Sequence, residues 1–164
     1  MADPIEKGTP QAWLVMDMID AYVRDDLPHL EILLNRVGVD YGEVFRLFIV
    51  VLGGTIEAIA KRANQTFDQI LPGLLVQMAS PTEEVAAADV ARRALTAWST
   101  GDDELVTRLG FDEDIESAGP DLILLHFLGM LVMISRSWAD QGGPAIVEIR
   151  TQWAMALGTT DDVG

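Results

Sequence analysis

Helix-starting signals recur along this chain, and between them the apolar residues keep the three-to-four-residue spacing of one helix face. That combination leaves an all-helical fold as the consistent reading. Thr9-Pro10 sets a capping residue before a proline at the first helical position, and Leu14, Met18 and Tyr22 follow on one face beside Val15, Ile19 and Val23. Asp25 or Asp26 opens a short second helix with Leu27, Leu30, Leu33 and Leu34 inward and Gly38 just past its end. Asp40-Tyr41-Gly42-Glu43 has capping-box spacing and starts a long apolar helix running to about Asn64; Thr66-Phe67-Asp68-Gln69 repeats the device. Pro72 lies inside that fourth segment and predicts a kink or a late start.

Ser80-Pro81-Thr82-Glu83 combines both devices and marks the sharpest boundary, from which a fifth helix runs to about Trp98. A short sixth helix around Asp103 to Leu109 is closed by Gly110, and Asp112 to Gly119 reads as an acidic loop. Pro120 starts the seventh helix, and Pro144 the eighth, which ends near Leu157-Gly158. Val44 to Val51 competes as a strand, but it continues smoothly into Glu57-Ala58-Ile59-Ala60-Lys61 and so reads as helix.

The order long, short, long, medium occurs twice. A shift of 76 residues lays Tyr22 on Trp98, Ala21 on Ala97, Leu52 on Leu128, Gly53 on Gly129, Ala63 on Ala139 and Gln65 on Gln141. The expected architecture is one all-α domain over residues 1–158 with eight helices in two pseudo-repeated four-helix units, about 11–79 and 85–157, and a mobile polar tail over 159–164.

Composition narrows the function classes. Without cysteine there is no disulfide framework, thiolate metal site or cysteine nucleophile, and a reducing cytoplasm fits. Met1 to Thr9 shows no secretory pattern. The apolar runs Val44 to Ala60 and Leu122 to Ile134 are expected to be core helices: the first contains Arg46 and Glu57, and the second covers about 13 residues against the roughly 20 of a membrane span. The 26 acidic and 11 basic residues give a net charge of −15; 11 acids and 6 bases lie in the stretch up to Ser80, and 15 acids and 5 bases follow it. Such a field opposes phosphate backbones, so nucleic acid is not an expected partner. The Ala-rich, Arg/Asp-rich style suggests a bacterium with a GC-rich genome.

The residues that carry chemistry are sparse. His29 and His126 have none of the spacings that put two metal ligands on one helical face, and no metal or cofactor is expected. His126, inside Leu124-Leu125-His126-Phe127-Leu128, reads either as a ligand contact in a cavity or as a core imidazole bonded to a carbonyl or to Glu57; His29 is expected to be exposed. Glu57 is a candidate ligand anchor, although Lys61 four residues on favours a surface ion pair. Asp112, Asp114 and Glu116 imitate the start of a calcium loop but lack its glycine and distal glutamate. Gly53-Gly54 sits within a helix and forms no phosphate loop, and the four tryptophans read as core or interface anchors.

Two functions remain. The favoured one is a non-enzymatic protein acting through protein contacts, as a homodimer or as an adaptor or inhibitor of a basic partner; its acidic surface would comprise Asp102, Asp103, Glu104, Asp112, Glu113, Asp114 and Glu116. The alternative is a small-molecule binder with an apolar cavity between the two long helices near His126 and Glu57. Gly53 and Gly129 are expected either to let those helices cross closely or each to make room for a bulky neighbour such as Trp98 or Phe48.

Overall fold

A computed structural model describes residues 9–77, 85–109 and 120–158. Those residues form eight α-helices: α1 (Pro10–Val23), α2 (Leu27–Val37), α3 (Tyr41–Arg62), α4 (Phe67–Gln77), α5 (Val85–Ser99), α6 (Asp103–Leu109), α7 (Pro120–Asp140) and α8 (Ile146–Leu157), with one 3-10 turn at Gly38–Asp40. No strand occurs among the described residues.

The helices start largely where their capping chemistry says. The Thr9 hydroxyl accepts the Ala12 N–H at 3.2 Å, and Thr66 and Gln69 form a reciprocal box, with Gln69 Oε1 accepting the Thr66 N–H at 2.9 Å and Thr66 Oγ1 the Gln69 N–H at 3.2 Å. The Asp40 box does not form. Asp40 makes no side-chain cap, and Glu43 instead grips Arg46 through two bonds of 2.7 and 3.1 Å, because the 3-10 turn leads straight into α3. Pro72 does not delay α4, which starts at Phe67. Helix α8 begins at Ile146, two residues after Pro144, and ends on Gly158 in the left-handed conformation at φ 72°. The Ser80-Pro81 boundary, Gly110, the Asp112 to Gly119 loop and the 159–164 tail lie outside the described residues.

The long helices α3 and α7 form the centre, joined by an edge-on contact of Phe45 with Phe127 at 5.3 Å and by Phe48 with Phe127 at 6.2 Å. Helix α1 packs on α2 and α3, and α5 on α6 and α7, while α3 also receives α5 and α7 receives α1. Helix α7 is 21 residues long, more than the 13-residue apolar run suggested, and Asp121–Asp140 is long and apolar enough to cross a membrane by length and composition. Its inner side is filled by the core: Ile123, Leu124, Phe127, Leu128, Leu131 and Ile134 are all buried.

Two corners are built from the same bonds. Asp26 N–H reaches Ala21 O and Asp102 N–H reaches Ala97 O, each at 2.9 Å. Asp25 N–H reaches Tyr22 O at 3.1 Å and Gly101 N–H reaches Trp98 O at 3.0 Å. The carboxylates of Asp26 and Asp102 then cap α2 and α6 by accepting the N–H groups of His29 and Leu105. These pairs keep the 76-residue shift. The turns that end α3 and α7 match at 78 instead: Gln65 N–H to Ala60 O and Gly143 N–H to Trp138 O, both 2.8 Å. Ala63 therefore corresponds in that turn to Gln141, and not to Ala139.

Candidate functional site

The acids among the described residues face solvent wholly or in part, as the cost of burying an unpaired carboxylate requires. Asp102, Asp103 and Glu104 are exposed at the start of α6, where Asp102 serves as the cap; Asp112, Glu113, Asp114 and Glu116 lie outside the described residues. Several bases are already engaged: Arg46 by Glu43, Arg92 and Arg93 by Asp89, and Arg150 by Asp20 through two bonds of 2.6 and 2.7 Å that tie α8 to α1.

His126 and Glu57 are not brought together. His126 is buried at 8% exposure on α7, whereas Glu57 stands exposed on α3. No ion pair joins Glu57 to Lys61 among the described residues; both line an open polar cleft of about 410 Å³ with Asn64, Gln65, Thr66 and Gln69. His29 is partly buried rather than exposed. Two smaller clefts flank Trp138: one of about 190 Å³ with Ile59, Ile70 and Ile134, and one of about 170 Å³ with Thr55, Ile149 and Trp153. His126 lines none of these three. No group of three potential metal-ligating side chains occurs among the described residues.

The glycines do not meet across the long helices. A Cβ on Gly53 would stand 2.5 Å from the Trp98 indole, so this glycine makes room for a ring of α5. Among the described residues, a Cβ on Gly129 would meet the Tyr22 hydroxyl of α1 alone, at 3.4 Å. Solvent exposure shows why the two are unlike. Helix α3 shows an outer row at Glu43, Arg46, Val50, Gly54, Glu57 and Lys61, and α7 shows one of identical spacing at Leu122, Leu125, Gly129, Met133, Arg136 and Asp140. In that phase Gly129 corresponds to Val50 on the outside, while Gly53 faces inward.

Three features escaped sequence reading. Trp153, buried on α8, donates its indole N–H to Thr55 Oγ1 at 2.8 Å, and the Thr55 hydroxyl donates to Val51 O at 2.8 Å. The Tyr41 hydroxyl, at the start of α3, has no hydrogen-bond partner among the described residues; burial, and then the Asp121 carboxylate, hold its proton well above the usual phenol range. The third is the outer row of α7, whose first four residues are apolar although Leu122 and Met133 are 54% and 47% exposed. The apolar periodicity of this segment signals its buried face and is silent about a second one. Compared with known proteins, the chain matches no family model, and neither a curated protein nor a solved structure stands out as similar to it.

Proposed function

We propose that this chain performs no reaction of its own and acts by binding a cationic protein, as an adaptor or inhibitor. The observation that carries the reading is the net charge of −15, with the described acids at the surface and Arg46, Arg92, Arg93 and Arg150 already tied to some of them. Such a field steers a basic partner toward the surface and repels a second copy of the same charge, so a homodimer is the weaker version. The small-molecule reading has less behind it, since ligand pockets are typically enclosed, largely apolar and about 300–1,000 Å³. The cleft at Glu57 and Lys61 is open and polar, and the two that flank Trp138 fall below that range. The absence of cysteine suits work in a reducing compartment.

Affinity capture from lysate of the source cell at roughly 0.05 and 0.5 M salt, with light scattering on the purified chain, tests the reading. A stoichiometric partner of basic composition, identified by mass spectrometry and released by salt, is expected. A strict monomer that retains no protein at low salt would overturn it.

The chain further reads as a tandem duplication of a four-helix unit. Support comes from the two corners with the same bonds and from helices of 14, 11, 22 and 11 residues followed by 15, 7, 21 and 12. If the halves are related by a twofold axis, the gap from Leu157 to Pro10 equals that from Gln77 to Val85. A circular permutant opened before Val85, with a copy of residues 78–84 joining Leu157 to Pro10, should melt cooperatively with the parent's helical content. Loss of the cooperative transition would count against the duplication.

A further inference from the structure

A glycine inside a helix needs a reason, because it lowers helix stability relative to alanine. Gly53 has one in the Trp98 ring. Gly54 on α3 and Gly73 on α4 do not: among the described residues, nothing lies within 4 Å of where their Cβ atoms would stand. Each lines a cleft, and the two clefts share a wall. Trp138 lines both the cleft of about 190 Å³ that holds Gly73 and the cleft of about 170 Å³ that holds Gly54. The missing side chains are what keep these clefts open.

The cleft at Gly54 is the better built of the two. Its floor is Val51, Thr55, Ile149 and Trp153, all 5% exposed or less. The polar atoms of that floor are spent on one another: Trp153 donates its N–H to the Thr55 hydroxyl, which donates to Val51 O, each at 2.8 Å. These bonds fix the Trp153 ring of α8 against α3. Trp138, on the rim, is set by the turn that ends α7, where Gly143 N–H reaches Trp138 O at 2.8 Å and a Cβ on Gly143 would stand 2.6 Å from the ring Nε1. Both rings are therefore positioned before any ligand arrives, which lowers the cost of binding one.

The lining decides what fits. Among the described residues no acid or base lines this cleft, although the chain carries a net charge of −15. A charged ligand would lose hydration there without gaining a counter-charge, so the occupant is neutral. The volume is too small for a drug-sized molecule but is comparable to the apolar cavities of about 150 Å³ that take up benzene. Two indole rings in the lining favour a planar aromatic molecule through ring contacts. Gln152, exposed at the rim and without a hydrogen-bond partner among the described residues, offers an amide to one polar group. Independently of the protein-binding reading above, we propose that the cleft between α3, α7 and α8 binds a small neutral aromatic molecule of about the size of indole. Its ring lies against Trp138 and Trp153, and its N–H or hydroxyl meets Gln152.

The probe is 5-fluoroindole, titrated with the intact chain and followed by fluorine NMR, beside 4-fluorobenzoate as an anion of similar size. Binding of 5-fluoroindole is expected with Kd on the order of 0.1–1 mM, as suits about ten heavy atoms, and 4-fluorobenzoate should bind at least about tenfold more weakly. Gly54→Leu fills the cleft from α3 and should weaken binding at least about tenfold, while melting no lower than the parent, because leucine favours the helix and has space for its side chain. Ala156→Phe covers the same cleft from α8 and should weaken binding likewise, so the proposal stays testable if one variant fails to fold. Gly73→Leu fills the cleft on the other side of Trp138 and should change Kd by less than about twofold. The proposal is overturned if 5-fluoroindole does not bind the parent at up to about 2 mM, or if either cleft-filling variant is folded and binds as tightly as the parent. It is equally overturned if Gly73→Leu weakens binding as much as Gly54→Leu, or if 4-fluorobenzoate binds as well as 5-fluoroindole.

Discussion

Helices α3 and α7 are the two long elements of this protein and lie against each other, yet they spend their surfaces differently. Both present an inner face of branched and aromatic side chains to the core. Outside, α3 alternates charge of both signs around Val50 and Gly54, and α7 presents leucine, leucine, glycine and methionine before it turns polar at Arg136. Their glycines differ in the same way: Gly53 is an inward position occupied from outside the helix by the Trp98 ring, and Gly129 is a half-exposed position where a Cβ would stand in ordinary contact with the Tyr22 hydroxyl. Equivalent backbones thus carry unequal loads, and the inequality marks where folding stops dictating residue choice.

The largest effect that would break this comparison is at the glycines. Alanine at Gly53 places a methyl 2.5 Å from a rigid ring and should cost about 1–3 kcal/mol through overpacking. Alanine at Gly129 should be neutral or stabilise by up to about 1 kcal/mol, since helix propensity improves with little crowding. Chemical denaturation of both variants decides the matter, and equal changes of the same sign would contradict the geometry. Next comes the tie between α3 and α8. Thr55→Val keeps the shape but strands the buried Trp153 N–H, and a loss of about 1–3 kcal/mol is expected; Trp153→Phe in the Thr55→Val background should recover part of it.

The corners sharpen the comparison from the other side, because there the halves agree. Asp26→Ala and Asp102→Ala should each cost about 1 kcal/mol, and a large difference between them would show that the two caps are not equivalent. Tyr41 supplies a pH test where the long helices begin. Its proton is held more firmly in the folded state than in the unfolded chain, so the unfolded chain ionises first as pH rises past the ordinary phenol value of 10.0, and stability falls above that pH. Tyr41→Phe should remove that part of the alkaline decline, seen as a smaller drop in melting temperature between pH 9 and about 11, and should leave stability at neutral pH unchanged or slightly higher. The smallest effect is electrostatic. Screening among the acids should raise the melting temperature modestly as salt increases from about 0.01 to 0.15 M, and a flat or falling trend would remove the mutual repulsion on which the charge argument depends.

What the sequence determined by itself was the helices and their ends. Capping and left-handed closure depend on a few neighbouring atoms, so Thr9, Thr66 with Gln69, and Gly158 could be read from local spacing. The Asp40 box could not, because the 3-10 turn over Gly38–Asp40 leads straight into α3 and leaves Asp40 without the extended backbone of a capping residue, so that Glu43 pairs with Arg46 instead. His126 could be placed in the core but not assigned a neighbour, and Glu57 could be read as a surface residue from Lys61 four positions on, but not as lining an open cleft with that lysine in place of an ion pair. Tertiary structure alone decided that Gly53 lies beneath Trp98, that Trp153 reaches Thr55 across 98 residues, and that α7 keeps an apolar row uncovered. The reason is physical: helical periodicity tells which residues share a side, while burial depends on which other helices arrive there, and that is set by packing over the whole chain.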